Sequence, residues 1–420
     1  MFPPDKNKNI SRREFLRSVS RASMILGGAG LSLSYPPWSE AFLGNAWGGL
    51  LSSPSDEMIR NAPLARYWIS ANSPGGQCLS CHQPDDKIEG RQYDHKKGIV
   101  KCLLCARECL INEGERGACQ ARINVRGELR SLVYGRPVTM HVDPIEKKPL
   151  YHFLPGSSAF SLATSGCPLH CKFCQNWEIS QARPEDFSTR YTPPEAIVQA
   201  TAQRHVPVIA FTYNEPTVFT EYLTDIARIS RNQDIRSVLI SCGFMNKEPL
   251  DEMCSVLDAI KIDLKGFDKD FYRRVCNAEL EPVLRSIRQV AKNGVHLEIV
   301  NLVVPTLNDS EKMLTELAEW VMGELGPDVP IHFTRFHPDY QMRNLPPTPV
   351  ATLERAYDIA KARGIRYPFV GNVPGHPGNN TYCPGCGKPV ILRTGFFITA
   401  EHLKNGRCGY CNEVIAGVWT

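Results

Sequence analysis

The chain of 420 residues is 42% hydrophobic and 22% charged, the balance of a soluble protein long enough for one large core with small appendages. Its formal charge of +4 resides in residues 1–25, which hold six basic and two acidic side chains; the neutral remainder gives no electrostatic support for nucleic-acid binding. No run in the body of the chain reaches the length of a transmembrane helix, and 16 cysteines, 13 of them in tight clusters, favour metal sites over a disulfide framework.

Residues 1–46 read as a twin-arginine signal and linker. Ser11–Arg17 (SRREFLR) sets Arg12-Arg13 ahead of Phe15-Leu16, and small and apolar residues follow over Ala22–Ser34. The pattern implies export to the periplasm or membrane attachment; a plain basic helix start, which would leave the protein in the cytoplasm, is the alternative. Cys78-Leu79-Ser80-Cys81-His82 has the C-x-x-C-H form of c-type haem attachment. Haem attachment needs an unfolded chain outside the cytoplasm, which conflicts with export of a folded protein, so a metal pair is the alternative there.

Residues 66–145 form a Cys-rich metal-binding module. Cys102, Cys105, Cys109 and Cys119 are spaced C-x2-C-x3-C-x9-C, with Gly114 and Gly117 supplying turns between the last two. Structural zinc and a second iron–sulfur cluster both fit four thiolates in this arrangement. Glu128–Tyr134 alternates as a strand and leads through Arg136–Asp143 toward the core.

From residue 155 to 373 strand-length apolar runs alternate with helical stretches. The strands fall at Phe160–Thr164, Val206–Thr212, Arg236–Ser241, Ala259–Leu264, His296–Val304, Ile331–Phe336 and Tyr367–Val370. The helices fall at Pro194–His205, Val218–Arg231, Pro249–Leu257, Glu281–Asn293, Ser310–Gly323 and Thr352–Arg363, with Gly294 and Gly364 marking helix ends. This rhythm predicts an α/β fold, a parallel sheet curled into a partial (β/α)6 TIM-like barrel. Polar side chains gather just past the strands: Cys167, Asn214-Glu215, Ser241–Gly243, Asp263 with Lys265, Asn308-Asp309, His337 and Asn372. Barrel chemistry sits at that carboxyl end. Asn301 and Asn308-Asp309 enter only as pocket candidates.

The first of these loops, Ser165–Ser180 (SGCPLHCKFCQNWEIS), holds Cys167, Cys171 and Cys174 as C-x3-C-x2-C. Three thiolates from one short loop suit an iron–sulfur cluster with one iron left free of protein; zinc, which prefers two distant pairs, is the alternative. Cys242, Cys254 and Cys276 stand alone and read as small buried apolar residues. Over residues 380–420, Cys383-x2-Cys386 and Cys408-x2-Cys411 bracket strands at Val390–Arg393 and Phe396–Thr399, a zinc-ribbon-like module whose four-cysteine site is structural and holds zinc or iron, with disulfides as the alternative.

The triplet, with Phe173 before its last cysteine, resembles the radical S-adenosylmethionine (SAM) enzymes. Val142–Ser157 (VDPIEKKPLYHFLPGS), Cys174–Ser180 (CQNWEIS), Phe211–Phe219 (FTYNEPTVF), Ile262–Lys265 (IDLK), Arg335–Tyr340 (RFHPDY) and Gly371–Gly375 (GNVPG) narrow this to the radical SAM member of the AmmeMemoRadiSam system, related to pyruvate formate-lyase activating enzyme-like activases of glycyl-radical enzymes. The resemblance spans residues 95–395. It implies a [4Fe-4S] cluster on Cys167, Cys171 and Cys174, SAM as cofactor, a low-potential electron donor, and Memo-like and AMMECR-like partners. It also implies SAM contacts from Asn214 and Glu215 to the amino group, from Asp263 and Lys265 to ribose and carboxylate, and from His337 near the ribose. The reaction implied is reductive cleavage of SAM and hydrogen-atom abstraction from an unknown substrate. Activation of a glycyl-radical protein is a second reading, and an exported carrier with several iron–sulfur or haem centres a third.

Overall fold

The computed structural model describes residues 54–70 and 98–420. The signal segment and the Cys78-x2-Cys81-His82 motif lie outside the described residues, so the expectations placed on them stand on sequence alone.

The N-terminal module begins with a three-stranded antiparallel sheet of β1 (Trp68–Ser70), β2 (Val100–Cys102) and β3 (Leu110–Ile111). A hairpin follows, β4 (Arg122–Val125) with β5 (Glu128–Ser131). Its core is small: Ala65, Val100, Leu104, Ile111 and Leu129 pack around Cys102. The module is tied to the next layer by backbone, since Asn246 N donates to Leu104 O and Cys105 bridges Met245.

The main sheet has eight strands: β6 (Thr139–Pro144), β7 (Ser158–Ala163), β8 (Val208–Phe211), β9 (Arg236–Ser241), β10 (Ala259–Asp263), β11 (His296–Val303), β12 (Ile331–Arg335) and β13 (Pro368–Gly371). Strands β7 to β13 run parallel and lie side by side in chain order, so each passes to its neighbour through a helix. The helices are Pro194–Ala202, Thr220–Arg231, Lys247–Val256, Leu280–Lys292, Glu311–Leu325 and Val350–Ala362. Strand β8 (VIAF) is buried at every position, as a parallel strand covered on both faces requires. Leu280, Val283, Leu284, Ile287 and Val290 are buried along one helix at the three-to-four spacing of an amphipathic face. Ser310 caps the following helix by accepting from Met313 N at 3.2 Å.

This is the expected partial barrel, with one addition. Thr139–Pro144, read from sequence only as a link, pairs antiparallel with β7 and closes that edge. Its side chains at Met140, His141 and Val142 are exposed, so no buried pattern marks it in the sequence. The strap after it, residues 145–157, is anchored by β11. Glu298 of β11, fully buried, accepts from Tyr151 N at 3.0 Å, His152 N at 2.8 Å and His332 Nε2 at 2.7 Å.

The C-terminal module holds β14 (Thr381–Tyr382), β15 (Pro389–Thr394) and β16 (Phe397–Glu401) in one antiparallel sheet, and the pair β17 (Leu403–Lys404) and β18 (Arg407–Cys408). Arg393 of β15, buried, donates to Tyr151 O at 2.8 Å and so fastens the module to the strap.

Candidate active site

The carboxyl ends of the strands surround a cavity of about 520 Å³, within the range of small-molecule sites. The loop after β7 brings Cys167, Cys171 and Cys174 into its wall. That loop is held by backbone: Gly166 N donates to Ile179 O at 2.8 Å, His170 N to Cys276 O at 3.1 Å and Lys172 N to Val275 O at 3.0 Å. All three cysteines are free thiols. Burial, then the charge of Glu215, pushes the Cys167 thiol well up. A hydrogen bond with Cys276, with Lys265 nearby, holds the Cys171 thiol below its ordinary value despite burial.

The other walls come from the neighbouring strand ends. Asn214 is buried, donates to Gly166 O at 2.8 Å and leaves its Oδ1 without a partner. Glu215 also reaches the cavity wall, but its carboxylate is already occupied. Oε1 accepts from Thr217 N at 3.2 Å, Thr217 Oγ1 at 2.6 Å and Ser241 Oγ at 2.7 Å, and Oε2 accepts from Cys242 N at 2.7 Å. It therefore ties the end of β8 to the end of β9. Asp263 and Lys265 share the cavity face, as residues two apart do, with Lys265 Nζ 3.5 Å from Asp263 Oδ2. Burial opposes the Asp263 charge, but Lys261 and Lys265 hold its carboxyl below the ordinary range. Lys265 also lies over the ring of Phe173 at 5.7 Å, which joins IDLK to the triplet loop.

Two pocket candidates prove to be braces. Asn308 Nδ2 donates to Lys265 O at 2.6 Å and Asn301 Nδ2 to Leu264 O at 2.8 Å, so both fix the backbone that carries Lys265. Asp309 sits farther along the loop and accepts from Thr306 N at 2.9 Å. His337 is exposed and is not among the residues lining the cavity. Its motif meets the triplet elsewhere: Tyr340 stacks on Trp177 with ring centroids 5.2 Å apart. Asn372 does line the cavity, at a φ of 59°.

The structure adds residues to which the sequence assigned no site role. Cys242 lines the cavity and Cys276 lies beside Cys171; as lone cysteines they carried no spacing signal, whereas Cys254 stays in the core. Lys261, two before Asp263, shares the cavity and pairs with it; that same period would have found it. The strap contributes Lys147 and Lys148 to the cavity lining, their ammonium groups 2.8 and 2.6 Å from Asp143. Tyr213 donates to the same carboxylate, and Lys148 Nζ lies 4.5 Å from the Tyr213 ring centroid. Burial pushes Lys148 down to about 8, against the pull of Asp143. Tyr213 adopts a φ of 71°, a strained backbone for a bulky residue.

The two four-cysteine groups differ. Cys383, Cys386, Cys408 and Cys411 gather with all sulfurs within 4.8 Å of one another, Cys383 to Cys411 at 3.5 Å and Cys386 to Cys408 at 3.7 Å. Cys102, Cys105, Cys109 and Cys119 line a small pocket of their own, of about 10 Å³.

A partial barrel with three thiols of one loop at the carboxyl end of its first parallel strand defines a class, and the family match agrees with it. Residues 161–320 match the Radical SAM superfamily. The uncharacterized protein MJ0808 of Methanocaldococcus jannaschii is 44% identical over 318 residues, covering 75% of this chain and 95% of that protein. A pyruvate formate-lyase-activating enzyme of Clostridium pasteurianum is 22% identical, over 43% of this chain and 80% of the relative. Among solved structures, a radical SAM methyltransferase from Sphaerobacter thermophilus aligns at 17% identity and a TM-score of 0.43, covering 56% of this chain and 71% of that one. The chain belongs to the radical SAM superfamily and is a radical SAM enzyme.

Proposed function

We propose that the cavity binds SAM against a [4Fe-4S] cluster held by Cys167, Cys171 and Cys174. The observation that carries this reading is the convergence of those three free thiols, Asp263, Lys265 and the unpartnered Asn214 Oδ1 on one cavity. The residues fit the group. The three sulfurs do not crowd to within 4.8 Å of one another as the C-terminal set does, the looser arrangement that a cube of iron and sulfide needs and a single ion does not. Asn214 Oδ1 is a buried acceptor awaiting a donor, and the methionine ammonium supplies one. Bound there, cluster and cofactor supply reductive cleavage of the sulfonium and a hydrogen-abstracting 5′-deoxyadenosyl radical.

The chain's own residues then have distinct tasks. Asn214 receives the amino group, while Glu215 fixes the loop that presents Asn214. Asp263 accepts from the ribose hydroxyls, and Lys265 attracts the carboxylate. Asn301 and Asn308 keep the Lys265 backbone in place. Lys147 and Lys148 add basic charge to the cavity lining, which suits a substrate with a carboxylate or phosphate. At the C-terminal group, sulfur separations of 3.5 and 3.7 Å suit one zinc ion, whose tetrahedral edge is about 3.8 Å for a bond of about 2.3 Å.

The AmmeMemoRadiSam assignment, with Memo-like and AMMECR-like partners, belongs to this proposal and rests on the quoted motifs. So do the signal in residues 1–46 and the division into 66–145, 155–373 and 380–420. A second reading, activation of a glycyl-radical protein, draws support from the activating-enzyme relatives. The test is spectroscopic. Reconstituted anaerobically and reduced, the enzyme should give a cluster EPR signal that SAM shifts, and Cys171→Ala should abolish the SAM-induced shift. A wild-type signal indifferent to SAM would refute the proposal.

A further inference from the structure

Three features of the N-terminal module bear on what its four cysteines hold. The first is sulfur spacing. Among the described residues the C-terminal set is the one group of three or more metal-ligating side chains whose ligand atoms all lie within 4.8 Å of one another. No three of Cys102, Cys105, Cys109 and Cys119 gather so tightly, and in this they match the triplet at Cys167. Cys109 and Cys119 both approach Gly117, each sulfur 3.8 Å from where a Cβ on that glycine would sit, with Ile111 Cδ1 at 3.4 Å. A glycine there leaves open a space that a longer side chain would take.

The second observation is charge. Arg122 is buried at 1% exposure and lines the thiol pocket. Its Nη2 pairs with Glu221 at 2.5 Å and its Nη1 donates to Arg66 O at 2.8 Å, but its Nε–H has no partner. A buried donor of this kind calls for an acceptor, and the sulfurs of an anionic centre are the acceptors this pocket can present.

The third is adjacency to the active site. The Cys119 carbonyl oxygen packs against Gly166 so closely that a Cβ on Gly166 would overlap it. Arg107, between Cys105 and Cys109, donates to Pro168 O at 2.8 Å. Residues 166 and 168 flank Cys167, so one backbone contact and one side-chain hydrogen bond connect one thiol set to the other.

We propose that Cys102, Cys105, Cys109 and Cys119 hold a second four-iron cluster, and that it feeds electrons singly to the cluster at Cys167, Cys171 and Cys174. Four thiolates leave no iron open, so the centre transfers electrons and binds no substrate. In each transfer the pocket cluster takes one electron from an external low-potential donor, dithionite in the test below. It is reoxidised by one electron as the neighbouring cluster is reduced by one. No bond is made or broken and no proton is needed. The relay rests on the radical SAM reading; the presence of the cluster does not.

The test uses the full chain, reconstituted anaerobically with iron and sulfide. Wild type should bind about eight iron. A Cys167→Ala/Cys171→Ala/Cys174→Ala variant, which leaves the N-terminal module intact, should retain about four iron and a reduced EPR signal that SAM does not alter. Zinc without iron in that variant would overturn the second cluster. A Cys105→Ser/Cys109→Ser variant should keep the SAM-sensitive signal but reach it at least ten-fold more slowly after mixing with dithionite. Equal rates would overturn the relay. Should that variant fail to fold, two distinct midpoint potentials in titrated wild type serve instead, and a single four-iron centre would overturn the proposal. A wild-type signal insensitive to SAM counts against the radical SAM reading, while iron retained by the triplet variant still establishes the second cluster.

Discussion

Removing the Glu215 carboxylate separates two roles that the sequence alone could not distinguish. As a free acid waiting for the cofactor's ammonium, Glu215 could be neutralised without harm to the fold. In the structure it accepts four hydrogen bonds, two of them from the backbone amides of Thr217 and Cys242. Glu215→Ala leaves both amides buried and unpartnered at about 1–3 kcal/mol each, so a loss of roughly 2–6 kcal/mol is expected. That is a large share of a typical stability of about 5–15 kcal/mol. Glu215→Gln keeps an oxygen for Ser241 and Thr217 but turns an amide donor toward Cys242 N, costing about 1–3 kcal/mol. The assay is urea unfolding of the cofactor-free protein, followed by SAM affinity on whatever remains folded. Midpoints unchanged in both variants, with SAM affinity alone reduced, would refute the bracing role and restore Glu215 as a direct ligand.

Other consequences are open to simpler measurements. Lys148, with its pKa lowered from 10.5 to about 8 by burial, charges the folded protein a cost present below pH 8 and relieved as pH rises toward 10.5. The unfolding free energy of wild type should therefore gain about 3 kcal/mol on Lys148→Met across that window, at about 1.4 kcal/mol per pKa unit; parallel pH curves would show the amine is not buried as a cation. Gly371→Ala would place a Cβ 2.6 Å from Thr334 Cγ2 and displace Asn372 at the cavity wall. A strain of about 1–3 kcal/mol should lower the melting temperature and cut SAM cleavage about ten-fold or more, whereas full activity would mean β12 and β13 can part without consequence. Cys386→Ser should release about one zinc per chain while leaving the SAM-sensitive EPR signal, and loss of that signal would show the C-terminal module is not merely structural.

Most of the barrel was legible because parallel strands buried on both faces read as continuous apolar runs. Ala259–Asp263 and Val208–Phe211 fall within the expected strands. Strand β6 was not, since its exposed residues at 140–142 carry no core signal. The triplet was legible from spacing alone, as was the C-terminal sulfur tetrad. Which residues past a strand turn inward was less so. Asp263, Lys265, Asn214 and Asn372 reach the cavity and His337 does not, because the direction of a loop depends on packing such as Tyr340 on Trp177. Cys276 was invisible for a related reason: it lies about a hundred residues from Cys171, and only the turn that also holds the triplet loop brings them together. The basic wall at Lys147 and Lys148 depends on Glu298 anchoring the strap, a contact between distant segments that no local pattern announces.

The central claim is most directly tested by the product of the proposed chemistry. Anaerobic, reconstituted enzyme mixed with dithionite and SAM should form 5′-deoxyadenosine, and Cys171→Ala under the same conditions should form none above background. Absence of 5′-deoxyadenosine from wild type with a fully loaded, reduced cluster at Cys167, Cys171 and Cys174 would contradict the account.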